Sequence, residues 1–108
     1  MKRGDLVTAV TPGAYGKPRP YLVVQADLFN ATHPSVTVAP LTSTLVGAPL
    51  FRITLDPTPT NRLRSVSQIM VDKLVTVPPA KLGPVIGALD ADVLSRVNRS
   101  LALWLGLA

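Results

Sequence analysis

The chain has 108 residues, 47% of them hydrophobic, which fits one domain rather than two and is too apolar for intrinsic disorder. It has no cysteine, which excludes a disulfide framework, a thiolate zinc site and a cysteine nucleophile; any triad or metal site that needs an imidazole would have to use the single histidine, His33. Eleven Lys and Arg against six acids, all Asp, leave +5, a surplus suited to nucleic acid or an acidic protein, and equally compatible with a soluble domain that is simply basic.

Eleven prolines argue against long helices before residue 80. Behind Lys2-Arg3 there is no apolar stretch of a signal peptide, and no apolar run approaches the ~18 residues that span a bilayer, so the chain reads as cytosolic. Asp5 to Val10 is a short β-type run, and Thr11 to Pro20, with two Gly and three Pro, reads as a loop. Tyr21 to Ala26 is apolar and β-branched enough for a buried strand. Asp27 to Pro34 is loop or a short turn, Ser35 to Leu41 a strand, and Thr42 to Pro49 a second loop. Leu50 to Leu55 alternates, with Arg52 and Thr54 outward; Asp56 to Leu63 reads as an exposed, turn-rich link. Ser65 to Val71 and Leu74 to Val77 offer one or two more strands, Pro78-Pro79 a turn or single helical turn, and Leu82 to Leu89 a bent strand. The clear helix starts after Asp90, a plausible N-cap, with Val93, Leu94, Val97, Leu101 and Trp104 as its core stripe and Gly106 placed to end it. The sum is an antiparallel domain of about six strands closed by a C-terminal helix, α+β and mostly β, spanning residues 1–108.

Chemistry could reside at three places. In Tyr15-Gly16-Lys17-Pro18-Arg19-Pro20 the prolines stiffen the backbone around Arg19, and a guanidinium held that way can grip a phosphate with two parallel hydrogen bonds. A lone Arg in a loop is more often simply solvated, but Tyr15 and Lys17 beside it supply the stacking and charge that single-stranded RNA uses. Thr42-Ser43-Thr44 offers hydroxyls to phosphate oxygens, or else a polar turn. Arg64 leads into Ser65-Val66-Ser67-Gln68, either an RNA-facing edge or an exposed polar strand face. His33 before Pro34 reads as exposed and inert, and the scattered Asp show no metal-ligand spacing.

Four blocks, in order, resemble the MazF/PemK-type toxins of bacterial toxin–antitoxin systems. They are Lys2-Arg3-Gly4-Asp5-Leu6-Val7, then Gly16 to Asn30, then Val36 to Ser43, and Ser67-Gln68-Ile69-Met70-Val71-Asp72-Lys73 ahead of the closing helix. The resemblance implies a small SH3-like antiparallel β-barrel with a C-terminal helix, working as a homodimer. It implies a sequence-selective endoribonuclease that cuts single-stranded RNA with no metal or other cofactor, held in check by a cognate antitoxin in the same groove. By the same resemblance Arg19 and Thr42 are catalytic, Tyr15, Lys17, Ser43, Arg64, Ser67 and Gln68 bind RNA, and Thr11 to Pro18 is the loop over the groove. Two departures stand out: Ser67 and Met70 replace charged residues of several relatives, which leaves His33, an Asp brought in by folding, or no dedicated group as the general base. The half from Ile69 to Ala108 also resembles CcdB-type gyrase poisons, whose C-terminal Trp-Gly pair is split here into Trp104 and Gly106 by Leu105.

Overall fold

A computed structural model describes residues 1–10 and 17–108 of the chain. Seven strands and two helices follow one another: β1 (Asp5–Ala9), β2 (Arg19–Val23), α1 (Asp27–Asn30), β3 (Val36–Thr42), β4 (Arg52–Leu55), β5 (Ser67–Met70), β6 (Val75–Val77), β7 (Leu82–Ala88) and α2 (Ala91–Trp104). Short 3-10 turns at Val71–Lys73 and Pro79–Lys81 flank β6. Among the described residues no helix is long and apolar enough to cross a membrane.

All strand pairings are antiparallel, and the order across the sheet is β4-β5-β3-β2-β1-β7. β3 organises it. One edge pairs with β2, while the other is shared, its first half by β6 (Val36↔Val77) and its last residues by β5 (Leu41↔Ile69, Thr42↔Gln68). The 3-10 turn at Val71–Lys73 lets the chain leave β5 and rejoin the same edge as β6. β7 bends where its pairing with β1 slips between Leu6 and Val7 and again between Val7 and Ala9, the irregularity foreshadowed by its Gly and Pro.

The sheet is buried on both faces. Leu6, Leu22, Ala39, Leu41, Ile53, Leu55, Ile69 and Val71 pack with Val97 of α2, while Val7, Ala9, Tyr21, Val23, Val36 and Val38 form a second cluster. Adjacent residues of β1 and β2 therefore enter different cores, which explains an unbroken apolar run such as Tyr21-Leu22-Val23 where a half-exposed strand would alternate. β4, with Ile53 and Leu55 in and Thr54 out, does alternate.

The barrel expected from the sequence is left open: β4 and β7 end the sheet without pairing to each other. The segment 56–63 fills the gap. Ala88 N–H of β7 donates to Thr60 O at 3.0 Å, and Gly87 lies directly under the Asn61 carbonyl. The link is mostly exposed, as its composition predicts, with one exception: Asn61 is buried. Its carboxamide oxygen accepts from the Thr58 and Leu63 N–H groups, its Nδ2 donates to Asp56 O, and its own N–H donates to Thr58 Oγ1.

α2 ends as its sequence predicts. Gly106, at φ 73°, donates to Leu103 O, and Leu107 N–H donates to Ala102 O, the pair of bonds that closes a helix on a left-handed glycine. Its start differs, since Asp90 holds the N-cap position in extended conformation but its side chain makes no capping bond. Trp104 is half exposed at the edge of the stripe, against the Phe51 ring at 5.7 Å.

Two charged contacts explain parts of the opening and closing blocks. Arg3 ties three segments together: its N–H donates to Asp27, its Nε to Val24 O and its Nη2 to Asn98 of α2. Arg52 donates through Nε and Nη2 to both carboxylate oxygens of Asp72, at 2.8 and 3.2 Å, with both side chains mostly buried. The hydrogen bonds from Arg52 hold the Asp72 carboxyl below the ordinary aspartate value. A depressed folded pKa gives stability that is complete above the unfolded value and lost as pH falls through the folded one. Asp72→Asn should therefore cost about 2 kcal/mol at pH 7. Its deficit in melting temperature should begin to shrink below about pH 4, the ordinary aspartate range, and close only as pH falls through the lower value of folded Asp72, where the pair itself is protonated; melting curves from pH 7 to pH 2 measure both, and parallel curves would exclude the pair as a source of acid sensitivity.

Candidate functional site

The site follows from how β2 and β3 lie side by side. Their register runs from Val23↔Val38 to Tyr21↔Pro40, and beyond it Arg19, the first residue of β2, and Thr42, the last of β3, both line one cleft. Residues more than twenty positions apart are thus brought to one end of the sheet. There they border a cleft of about 780 Å³, whose lining also includes Thr8 of β1, Ser43, Arg62, Arg64, Ser65 and Ser67. Leu41, Leu63, Val85 and Ile86 give it an apolar floor.

Arg19, Arg62 and Arg64 are exposed, and none of their guanidinium groups has a hydrogen bond or ion pair to a described residue. Three planar cations without a described partner, among five Ser or Thr residues, suit a ligand with several anionic oxygens. Thr42 also caps its own turn, its Oγ1 accepting from Thr44 N–H at 3.1 Å, which is the polar turn the sequence offered, and the residue lines the cleft as well. Ser67 is buried and donates to Ser65 O, which fixes the wall beside Arg64.

Of the residues singled out in the sequence, Arg19, Thr42, Ser43, Arg64 and Ser67 meet in the cleft. Lys17 is exposed but does not line it. Tyr15, and most of the loop expected over the groove, lie outside the described residues. Gln68 requires a correction, because its side chain is buried away from the cleft. It accepts from Val46 N–H and donates to Val46 O and Thr54 Oγ1, stapling the 43–50 loop to β5. The physical reason is strand alternation: Ser67 takes the cleft side, so its neighbour Gln68 turns to the other. Arg62 was missed. A positive-φ arginine in a polar link looks like any solvated cation until the link is seen folded onto β7.

No acid or imidazole lines the cleft among the described residues, and residues 11–16 contain neither by composition. His33 is exposed in the turn before β3 and bonded to Ser35; the seven residues of β3 place it about 20 Å from Thr42. Within one copy of the chain, neither His33 nor an Asp is placed to act as the base.

Comparison with known proteins places these features in context. The family described as PemK-like, MazF-like toxin of type II toxin-antitoxin system matches residues 2–105. The probable endoribonuclease MazF of Mycolicibacterium smegmatis is 48% identical over 109 residues, covering 100% of this chain and 99% of that protein. Among solved structures, the Mycobacterium tuberculosis toxin MazF-mt6 superposes with a TM-score of 0.82 at 26% identity, over 96% of this chain and 98% of that one. A MazE-MazF crystal structure from Deinococcus radiodurans gives 0.79 at 28% identity, over 100% of this chain and 98% of that one.

Proposed function

The chain belongs to the PemK-like, MazF-like toxins of type II toxin–antitoxin systems, and from that membership we propose that it is a sequence-selective endoribonuclease cutting single-stranded RNA without a metal. The observation that supports this most directly is the meeting of Arg19 and Thr42 at the mouth of a cleft bordered by two further free arginines. The whole chain forms the toxin domain, works as a homodimer in the cytoplasm, and is neutralised by a protein antitoxin. The gyrase-poison reading loses its footing, since Trp104 packs on Phe51 and Gly106 closes α2.

RNA supplies its own nucleophile, the 2′-OH, which attacks the adjacent phosphorus and expels the 5′-oxygen. Arg19 clamps the charge that develops on the phosphoryl oxygens, where a preorganised donor counts most. The Thr42 hydroxyl orients one of those oxygens, and Ser43 and Arg64 hold the strand beside it. The new 2′-O–P bond closes a cyclic phosphate as the P–O5′ bond breaks; with no imidazole or carboxylate lining the cleft among the described residues, the 2′-OH proton leaves to water and the departing 5′-oxygen takes its proton from water, which favours a modest rate.

Incubating the folded protein with a long single-stranded RNA in excess EDTA, followed by end mapping, tests the proposal. Discrete cuts at a recurring short sequence are expected. Intact RNA with correctly folded protein would overturn it.

A further inference from the structure

Arg62 is the only non-glycine residue with positive φ among the described residues, at 57°. Glycine adopts that conformation freely, whereas an L side chain there is disfavoured. Strain of this kind persists only where the surroundings impose it, and here they do. Arg62 N–H donates to Thr58 O at 2.9 Å, Asn61 on one side is buried with its carboxamide fully engaged, and the Leu63 N–H on the other is bonded to that same carboxamide. The Asn61 carbonyl rests on Gly87, which has no side chain to push it away. The fold thus fixes the backbone on both sides of an exposed guanidinium that lines the cleft and touches no described partner.

We propose that Arg62 is a phosphate-binding residue, presented to the RNA backbone by this left-handed turn, gripping a phosphate other than the one cut. The proposal rests on the ribonuclease reading. The geometry argues for a separate phosphate because Arg62 enters the lining from the segment sealed against β7, whereas Arg19 and Thr42 enter it from the ends of β2 and β3. A guanidinium fixed at its backbone gives up less freedom on binding than one on a loose loop. An arginine that only contributed charge would have no need of this turn.

The test measures binding of a single-stranded RNA carrying 2′-O-methyl groups, which removes the nucleophile, across a range of salt concentrations. Wild type is compared with Arg62→Gly, Arg62→Asn and Arg62→Lys, and with Arg99→Ala on the exposed side of α2 as a control for net charge. Asn tolerates the left-handed backbone, so it guards against a glycine variant that loosens the turn. Arg62→Gly and Arg62→Asn should bind about tenfold more weakly at 0.1 M salt. Their slope of log affinity against log salt should be shallower by about 0.7, one phosphate contact on a single strand. Arg62→Lys and Arg99→Ala should keep the wild-type slope. An unchanged slope in both Arg62→Gly and Arg62→Asn, with wild type binding and cutting unmodified RNA, overturns the role of Arg62 and leaves the ribonuclease standing. Wild type that neither binds nor cuts overturns both.

Discussion

Arg19→Ala should reduce metal-free RNA cleavage by about 10²–10³-fold, the usual loss when one preorganised donor to a developing anion is removed. The melting temperature should hardly move. Arg19 is exposed at the start of β2 and its guanidinium bonds to no described residue, so its removal leaves no buried group unsatisfied. That separation of activity from stability makes the prediction sharp. Arg19→Lys should recover little, because a point charge cannot offer two parallel N–H groups to a phosphoryl group. Thr42→Ala should be milder. It removes one hydroxyl contact to substrate and the internal bond to Thr44 N–H, and the second loss should lower stability slightly, which the Arg19 variants do not. Single-turnover cleavage with saturating enzyme, beside thermal melts of each variant, measures all three. Near-normal cleavage by folded Arg19→Ala would remove Arg19 from the reaction and the proposed mechanism with it.

What the sequence made legible, and what it hid, divides along physical lines. Where one element's own pattern decides its fate, the sequence sufficed. The Val93-Leu94-Val97-Leu101 stripe ended by Gly106 became α2, and Tyr21-Leu22-Val23 became a strand buried on both faces. That Arg19 and Thr42 would share one cleft was reachable only by resemblance, since the placement of strands side by side leaves no local mark. Buried polar residues were least legible. Gln68 and Asn61 belong to types that are usually exposed, and each is buried because a nearby loop needs its backbone groups satisfied. A four-residue helix at Asp27–Asn30 has too few positions to show a period and could be read only as a turn. The open barrel was hidden for the same reason as the burial of Asn61: whether β4 meets β7 or a loop intervenes depends on the Thr60–Ala88 contact, made by residues far apart in sequence.

That contact also predicts the largest effect on the fold. A methyl group added at Gly87 would lie 2.2 Å from Asn61 O, 2.6 Å from Asn61 C and 3.0 Å from Thr60 O. All three atoms are backbone, so no side chain can rotate aside, and either β7 or the 56–63 segment has to move. The Ala88 N–H bond to Thr60 O, one residue on, would stretch with it. Gly87→Ala should therefore destabilise the protein by about 2–3 kcal/mol, the range of a forced overpacking. For a domain near this size that corresponds to a fall of roughly 10–20 °C in melting temperature. Gly47→Ala is the matched control. Nothing lies within 4 Å of its added methyl, and its melting temperature should stay close to wild type. The damage should also reach the cleft, because the displaced segment holds Asn61 in its buried place and presents Arg62, Leu63 and Arg64 to the lining. Well below its melting temperature, folded Gly87→Ala should still bind RNA more weakly than wild type, whereas a lower melting temperature alone would leave the affinity of the folded fraction intact. If Gly87→Ala melted with wild type and bound RNA as well, the seal between the 56–63 segment and β7 could not be what sets the cleft wall.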